Sequence, residues 1–351
     1  MTNIESYRSI NTINNQTCYI CEGVGSPLYQ DLEDKNFDTP GDWSMLYCPK
    51  CKLSWLNPQP DPEEINRVYN SYYTHQVRKV RRLVSPQNPI RNYILYRYYG
   101  YKELEKKIEP HLSHKILSLH PFFKEIVGMS VMHLSADQRG DLLDVGCGSG
   151  QFLSTMKSLG WGVMGVEIDE NAAAIAQKEY GLKIYNGDLE EAQFPNNSFD
   201  VVTLNHVIEH VYDPIKILIE CRRILKPLGK LILTTPNLES LGHTIFRKDW
   251  RGLEIPRHLM VFSHNSIEQC TQKAGFKTIE LRGSARITRD VYLDSKLIRN
   301  NQKAKDISKL SYKLYSYQGW LFQLLVETAR MLFKFVPDEI FYIGERNDLS
   351  R

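Results

Sequence analysis

The sequence predicts an α/β fold: a mostly parallel sheet with helices wound over it, preceded by a small metal-stapled module. Three observations predict it. Apolar strand-like runs alternate with helical ones between residues 139 and 283. A glycine-rich turn joins the first of these strands to its helix. Ahead of them, four of the seven cysteines stand in two Cys-x-x-Cys pairs. The composition allows this: 351 residues suit two to three folding units, and 42% hydrophobic with 24% charged residues is ordinary for a globular chain. A net charge of +3 is too small to argue for nucleic acid. The first residues carry no apolar signal core, no apolar run reaches membrane-spanning length, and paired cysteines suit a reducing compartment. The expected location is the cytoplasm.

In chain order, the division is a ribbon over 1–60, a helical linker or lid over 61–135, a core over 136–284, a helical insertion over 285–338, and a final strand and tail over 339–351. Cys18-Tyr-Ile-Cys21 and Cys48-Pro-Lys-Cys51 are separated by 26 residues. Two residues between cysteines let both thiolates turn to one ion, and two such pairs close a tetrahedral site of four thiolates. A redox role would need a thioredoxin-like βαβ context, which is absent here. With no open position, such a Zn²⁺ is structural.

The linker is basic and aromatic, with Arg91, Tyr93, Tyr96, Arg97, Tyr98, Tyr99, Tyr101 and Lys102 behind the run at 78–82. Two readings stand: solvated charges over core-packed tyrosines, or arginines and tyrosines that receive a pyrophosphate-bearing substrate.

The core opens on Leu142, Leu143 and Val145, the end of a buried strand, then Gly146-Cys-Gly148-Ser-Gly150 and a helix from Gln151. Glycine lets this turn take positive φ and lets a ligand approach the backbone. A second strand over 162–166 ends in Glu167-Ile168-Asp169, where a carboxylate can accept from two ribose hydroxyls. A short strand over 183–185 leads to Gly187-Asp188-Leu189, and a fourth over 199–204 opens into Asn205-His206. A helix over 214–225 ends at the turn Lys226-Pro-Leu-Gly229, before a strand over 230–235.

These five elements, in type, order and spacing, resemble the class I S-adenosylmethionine-dependent methyltransferases, with their Rossmann-like seven-stranded sheet. The resemblance implies S-adenosylmethionine as cofactor. It implies that Gly146, Gly148 and Gly150 border its methionine and ribose, and that Glu167 holds the ribose hydroxyls. Asp188 would meet the adenine amino group with Leu189 against the ring, and Asn205 would lie under the sulfonium. Asp144 and Ile168 belong to the same set. The alternative is a vestigial scaffold behind a zinc-ribbon binding module, which the intact turn, Glu167 and Asp188 oppose.

The order of cysteine pairs, proline turn, tyrosine-rich helix and core resembles bacterial methyltransferases of sugar and surface-polysaccharide pathways. That implies a small-molecule or sugar-nucleotide acceptor, with nucleic acid not expected; the alternative is an RNA or quinone-type metal-assisted O-methyltransferase. Two segments follow the fourth and fifth strands, where the acceptor belongs. The first is His206-Val-Ile-Glu209-His210, with two histidines four apart and Glu209 beside them. The second is Trp250 to Ser263, carrying Glu254, Arg257 and His258. The first resembles the Glu-x-x-Glu-His segment of ubiquinone-pathway and small-RNA O-methyltransferases, which helps bind a divalent metal. His206 in place of the first glutamate leans towards Zn²⁺, Fe²⁺ or no metal. In sugar C-methyltransferases a glutamate stands where Arg257 does, which favours O-methylation here. His258 is expected as general base, or as a ligand of a second divalent metal with His206, Glu209 and His210. The plainer reading makes His210 a helix cap and turns His206 away.

The insertion places Trp320, Leu321, Leu324, Leu325, Met331, Leu332 and Phe335 broadly on one helical face. It is expected to pack on the core or close the pocket, with peripheral membrane contact through 319–336 as the alternative.

Overall fold

A computed structural model describes residues 10–69, 85–108, 111–303, 305–332 and 337–347. Tyr72, Tyr73, the basic run 78–82, Lys334 and Phe335 lie outside the described residues. The chain begins with β1 (Thr12–Ile13), β2 (Ser26–Leu32), β3 (Trp43–Cys48), β4 (Leu53–Leu56) and β5 (Gln59–Pro60), followed by α1 (Ile65–Tyr69). β2, β3 and β4 run antiparallel, and the link between Cys48 and Leu53 carries the second cysteine pair. Next come α2 (Pro89–Tyr99), α3 (Leu112–Leu119) and α4 (Pro121–Met129). Asn88 caps α2 by accepting from the N–H groups of Ile90 and Arg91, and Gly100 ends it at φ 74°.

The remaining elements are β6 (Asp141–Val145), α5 (Gln151–Ser158), β7 (Gly162–Glu167), α6 (Glu170–Tyr180), β8 (Ile184–Asn186), β9 (Phe199–Asn205), α7 (Pro214–Ile224) and β10 (Leu225–Pro236). They continue with α8 (Leu241–Phe246), β11 (Met260–Val261), α9 (His264–Lys273), β12 (Phe276–Ser284), α10 (Thr288–Arg299), α11 (Lys309–Leu332) and β13 (Glu339–Arg346). Seven strands pair in the order β12-β13-β10-β9-β6-β7-β8. β6 pairs parallel with both β7 and β9, so the connections reverse direction there. Ligands of such sheets sit beyond the carboxyl ends of the strands at that reversal. β10 starts earlier than the turn expected at Lys226–Gly229. Leu225 is already buried, and Lys226 pairs with Asp200 at 2.7 Å and Asp141 at 3.1 Å, which keeps that stretch in strand alignment.

The chain forms two compact units. One comprises Met1–Tyr72, His206–Leu218 and Leu233–Ile343, and the other Tyr73–Asn205, Ile219–Ile232 and Gly344–Arg351. In the second, the described linker packs inward through Tyr101. Its hydroxyl donates to the Leu134 carbonyl at 3.0 Å and accepts from Trp161 Nε1 at 3.1 Å. Arg97, Lys102, Lys106 and Lys107 are exposed, and so is Tyr98. Arg91 is the exception: it is 2% exposed, and burial lowers its pKa to about 10.

In the first unit the cysteine ribbon is not self-contained. β11 adds to β4 with Met260 opposite Trp55. Trp43, Met45 and Leu56 share a core with Leu238, Phe246, Trp250, Leu253, Leu259 and Val261. Each such side chain contributes about 1.5–3 kcal/mol on burial, so apolar packing anchors the ribbon to this core. The insertion is helical as expected, but its face differs. Phe322 and Val326 are buried against Ala285 with Tyr292 beside them, whereas Trp320, Leu321 and Leu325 are exposed. The reason lies in two backbone anchors. Gln323 Nε2 donates to the Ala285 carbonyl at 2.7 Å, and a Cβ on Gly319 would come within 2.7 Å of the Arg289 carbonyl. Among the described residues no helix is long and apolar enough to cross a membrane.

Candidate functional site

Three groups of side chains carry chemistry. In the ribbon, the sulfurs of Cys18, Cys21, Cys48 and Cys51 all lie within 4.8 Å of one another, and Cys21 and Cys48 are 3.6 Å apart. A tetrahedral Zn–S distance of about 2.3 Å sets sulfurs about 3.8 Å apart, so the set fits a zinc-sized ion. The two pairs repeat one geometry. Each turns through a positive-φ residue after its second cysteine, Glu22 at 61° and Lys52 at 57°. In each a backbone N–H, that of Ile20 or of Cys51, donates to the first sulfur at 3.4 Å. Burial and then the neighbouring thiols push Cys51 upward, a cost that a divalent cation reverses.

The second group lies at the carboxyl ends of β6 and β7. Gly146, Gly148 and Gly150 take φ of 69°, 54° and 80°. Their roles differ. A Cβ on Gly148 would meet nothing within 4 Å, so that side of the turn is open to a ligand. A Cβ on Gly150 would come within 2.6 Å of Leu182 Cδ1 and 2.8 Å of Ala176 Cβ. Gly150 therefore lets the turn pack on α6, where the sequence had placed it only beside the cofactor. Glu167 is 6% exposed, and each carboxylate oxygen takes one backbone donor: Gly148 N–H at 2.7 Å and Asp169 N–H at 2.9 Å. Each oxygen keeps a further acceptor site, enough for a ribose diol. Burial raises its pKa. Beside it Ile168 is 68% exposed.

Asp144 is buried and accepts from Thr203 Oγ1 at 2.6 Å, and burial pushes its pKa up to about 7. It braces β6 against β9. Asp188 is exposed and accepts from the Glu191 N–H at 2.8 Å, leaving its second oxygen for a ligand. Leu189 is 3% exposed, so it backs this turn from inside. Asn205 is half-buried at the end of β9.

The third group belongs to the first unit. Glu209, His210 and His258 bring one ligand atom each within 4.8 Å of the others. The two rings meet edge-on, with centroids 4.7 Å apart. Each histidine places Nδ1 on a backbone carbonyl, His210 on Arg257 at 3.0 Å and His258 on Gly252 at 2.8 Å. A carbonyl only accepts, so Nδ1 carries the proton in each ring, and His258 Nε2 lies 3.5 Å from Glu254 Oε2. Tyr69 also hydrogen-bonds His210 Nδ1, at 2.8 Å. Burial lowers His258 to about 4, which suits a neutral ligand better than a base working near neutral pH.

His206 stands outside this triad, against the expectation that it joins as a ligand. Its ring lies between two fully buried carboxylates, with Nδ1 3.0 Å from Glu209 Oε1 and Nε2 2.9 Å from Glu339 Oε1. Burial alone would lower its pKa, but those two hydrogen bonds outweigh it and raise it to about 9. Both nitrogens carry protons, so His206 is a cationic pin that steadies Glu209. Arg286 completes the charge balance on Glu339, and Thr235 Oγ1 donates to Glu209 Oε2 at 3.0 Å. Arg257 also lies apart from the triad. It is 1% exposed and pairs with Asp34 at 2.8 Å, tying this loop to the segment before β3.

Sequence reasoning missed Thr203, Thr235, Tyr69, Arg286 and Glu339. Glu339 comes 133 residues after His206 and Tyr69 comes 141 before His210, and no local pattern joins them.

A parallel sheet reversing at β6, an open glycine turn and a buried carboxylate stand together at the strand ends, where sheets of this kind bind ligands. Residues 123–281 match the methyltransferase domain family. A protein of Mycolicibacterium smegmatis described as "Probable S-adenosylmethionine-dependent methyltransferase" is 34% identical over 114 residues, covering 32% of this chain and 44% of that protein. A ubiquinone biosynthesis O-methyltransferase of Cereibacter sphaeroides is 30% identical over 153 residues, covering 40% of this chain and 62% of that one. A solved S-adenosylmethionine-dependent methyltransferase of Archaeoglobus fulgidus aligns over 71% of this chain and 100% of its own, at 18% identity and a TM-score of 0.41. The chain carries a class I S-adenosylmethionine-dependent methyltransferase domain, and it spans less than two thirds of the length of these curated relatives.

Proposed function

We propose that this protein transfers a methyl group from S-adenosylmethionine to a hydroxyl of a small acceptor, assisted by a divalent metal. A nucleotide- or lipid-linked sugar is the acceptor class the ribbon and core suggest. The observation that carries the reading is the convergence of Glu209, His210 and His258, with both Nδ1 atoms pinned to carbonyls.

The sulfonium donor is already activated, so the chain's work is alignment and removal of the acceptor proton. Gly148 gives backbone approach, Glu167 takes the ribose hydroxyls, and Ile168 and Asp188 meet the adenine, with Leu189 buried behind their turn. A divalent cation held by Glu209, His210 and His258 would lower the pKa of the acceptor hydroxyl. Two histidines and one carboxylate leave open positions and suit Zn²⁺ or Fe²⁺ better than Mg²⁺. His206 keeps Glu209 ionised and oriented, and Thr235 fixes its other oxygen. The four-cysteine set holds a structural Zn²⁺.

A quinone-type phenol is the second reading. It is favoured by the ubiquinone biosynthesis O-methyltransferases among the relatives. Turnover on sugar nucleotides, lipid-linked sugars, catechols and RNA separates the two. Activity on none, with S-adenosylhomocysteine still bound, leaves a binding module instead.

A further inference from the structure

We propose that the outward face of α11 docks on an anionic lipid bilayer, with the helix lying in the headgroup layer. The face is built from Leu310, Leu314, Tyr317, Leu321 and Leu325, which recur three or four residues apart and are 45–78% exposed. Trp320 extends it at 42% exposure, its ring stacked on Tyr317 with centroids 6.2 Å apart. From Leu310 to Leu325 the stripe runs about 22 Å along the helix. The opposite face of the same helix is already used, through Phe322 and Val326. The outward stripe is therefore surplus to the fold.

The charges beside it choose the occupant. Between Lys309 and Val326 there are two lysines, Lys309 and Lys313, and no carboxylate. Arg289 joins Lys313, Tyr312, Ser316, Tyr317 and Trp320 in lining a groove along one flank. Arg289 donates to Ser316 Oγ, and both cations are exposed. An apolar stripe with a basic flank and interfacial aromatic rings is the pattern of a helix lying in a membrane surface. Aliphatic residues enter the acyl boundary while Arg289 and Lys313 meet lipid phosphates. A protein partner would favour a face depleted in lysine. The surface lies N-terminal to the segment the sequence suggested, over 310–325 rather than 319–336.

Docking stands or falls separately from methyl transfer. Sedimentation of the full chain with phosphatidylcholine vesicles, with and without phosphatidylserine, tests it. Wild type should partition onto the anionic vesicles and little onto the neutral ones, and added salt should release it. Arg289→Glu with Lys313→Glu should weaken partition about tenfold or more, and Leu321→Asp with Leu325→Asp should do the same. All four side chains are exposed, so melting temperature and S-adenosylhomocysteine affinity should stay at wild-type values in both variants. Equal partition onto neutral and anionic vesicles overturns the proposal, as does equal partition of wild type and variants. A dimer in light scattering that Leu321→Asp with Leu325→Asp dissociates, without vesicle binding, assigns the face to a second copy instead.

Discussion

Replacing Glu167 by glutamine tests the cofactor site and separates two jobs that one carboxylate performs. The side chain accepts from Gly148 N–H at 2.7 Å on one oxygen and from Asp169 N–H at 2.9 Å on the other. Glutamine keeps one acceptor and puts an NH2 group where the second was. One buried N–H then loses its partner, at a cost of about 1–3 kcal/mol in folding stability. One ribose hydroxyl loses a charge-assisted bond of about 1.5–3 kcal/mol, which weakens S-adenosylhomocysteine by about 10–150-fold. Urea unfolding reads the first effect and calorimetry the second. Alanine should enlarge both, since it leaves both N–H groups unpaired. An S-adenosylhomocysteine affinity within about twofold of wild type in the glutamine variant would refute the ribose assignment, even if stability fell.

Further outcomes follow from the other clusters. Purified protein should carry about one zinc per chain in the four-cysteine site, and Cys48→Ser should lose it. Because β4 shares a sheet with β11, new proteolytic cleavage should then appear around 238–262 as well as in the ribbon. Cleavage confined to residues before 60 would show the ribbon to be independent. Arg286→Gln should strand the fully buried Glu339 with His206 alone and destabilise folding by about 3–5 kcal/mol in urea. A neutral result would deny that pair its role. Burial raises Asp144 to about 7, above its unfolded value near 4, so its neutral form favours the fold. That contribution is full at acid pH and is lost as pH rises through about 7. The melting temperature of wild type minus that of Asp144→Asn should therefore fall between about pH 4 and pH 7, and a flat difference would contradict it.

Much of the sheet was legible because each βα unit carries its own signal. Strand runs of Val, Leu and Ile, the glycine turn and the acid after β7 are local features within about forty residues of one another. The cysteine pairs were legible for the same reason. What the sequence could not show was pairing at a distance. β11 is two residues long and reads as a strand only once β4 is beside it. His206 looks like its neighbour His210 in sequence, but Glu339 on β13 turns it into a cation with no free nitrogen. Gly150 reads as a third ligand-facing glycine until Ala176 and Leu182 of the next unit close on it. The stripe on α11 was visible as a periodicity, but which side faced inward was decided by Ala285 and Tyr292.

The proposed reaction is metal-assisted methyl transfer through Glu209, His210 and His258. The most direct measurement is transfer of a deuterated methyl group from S-adenosylmethionine to the acceptor panel. It is read by mass spectrometry and NMR for wild type, chelated wild type and His258→Ala. The expected result is the label on an acceptor oxygen, loss of turnover on chelation with recovery on adding Zn²⁺ or Fe²⁺, and a fall of about 10²–10⁴-fold in His258→Ala at unchanged S-adenosylhomocysteine affinity. A label on carbon, or full turnover after chelation and in His258→Ala, would contradict it.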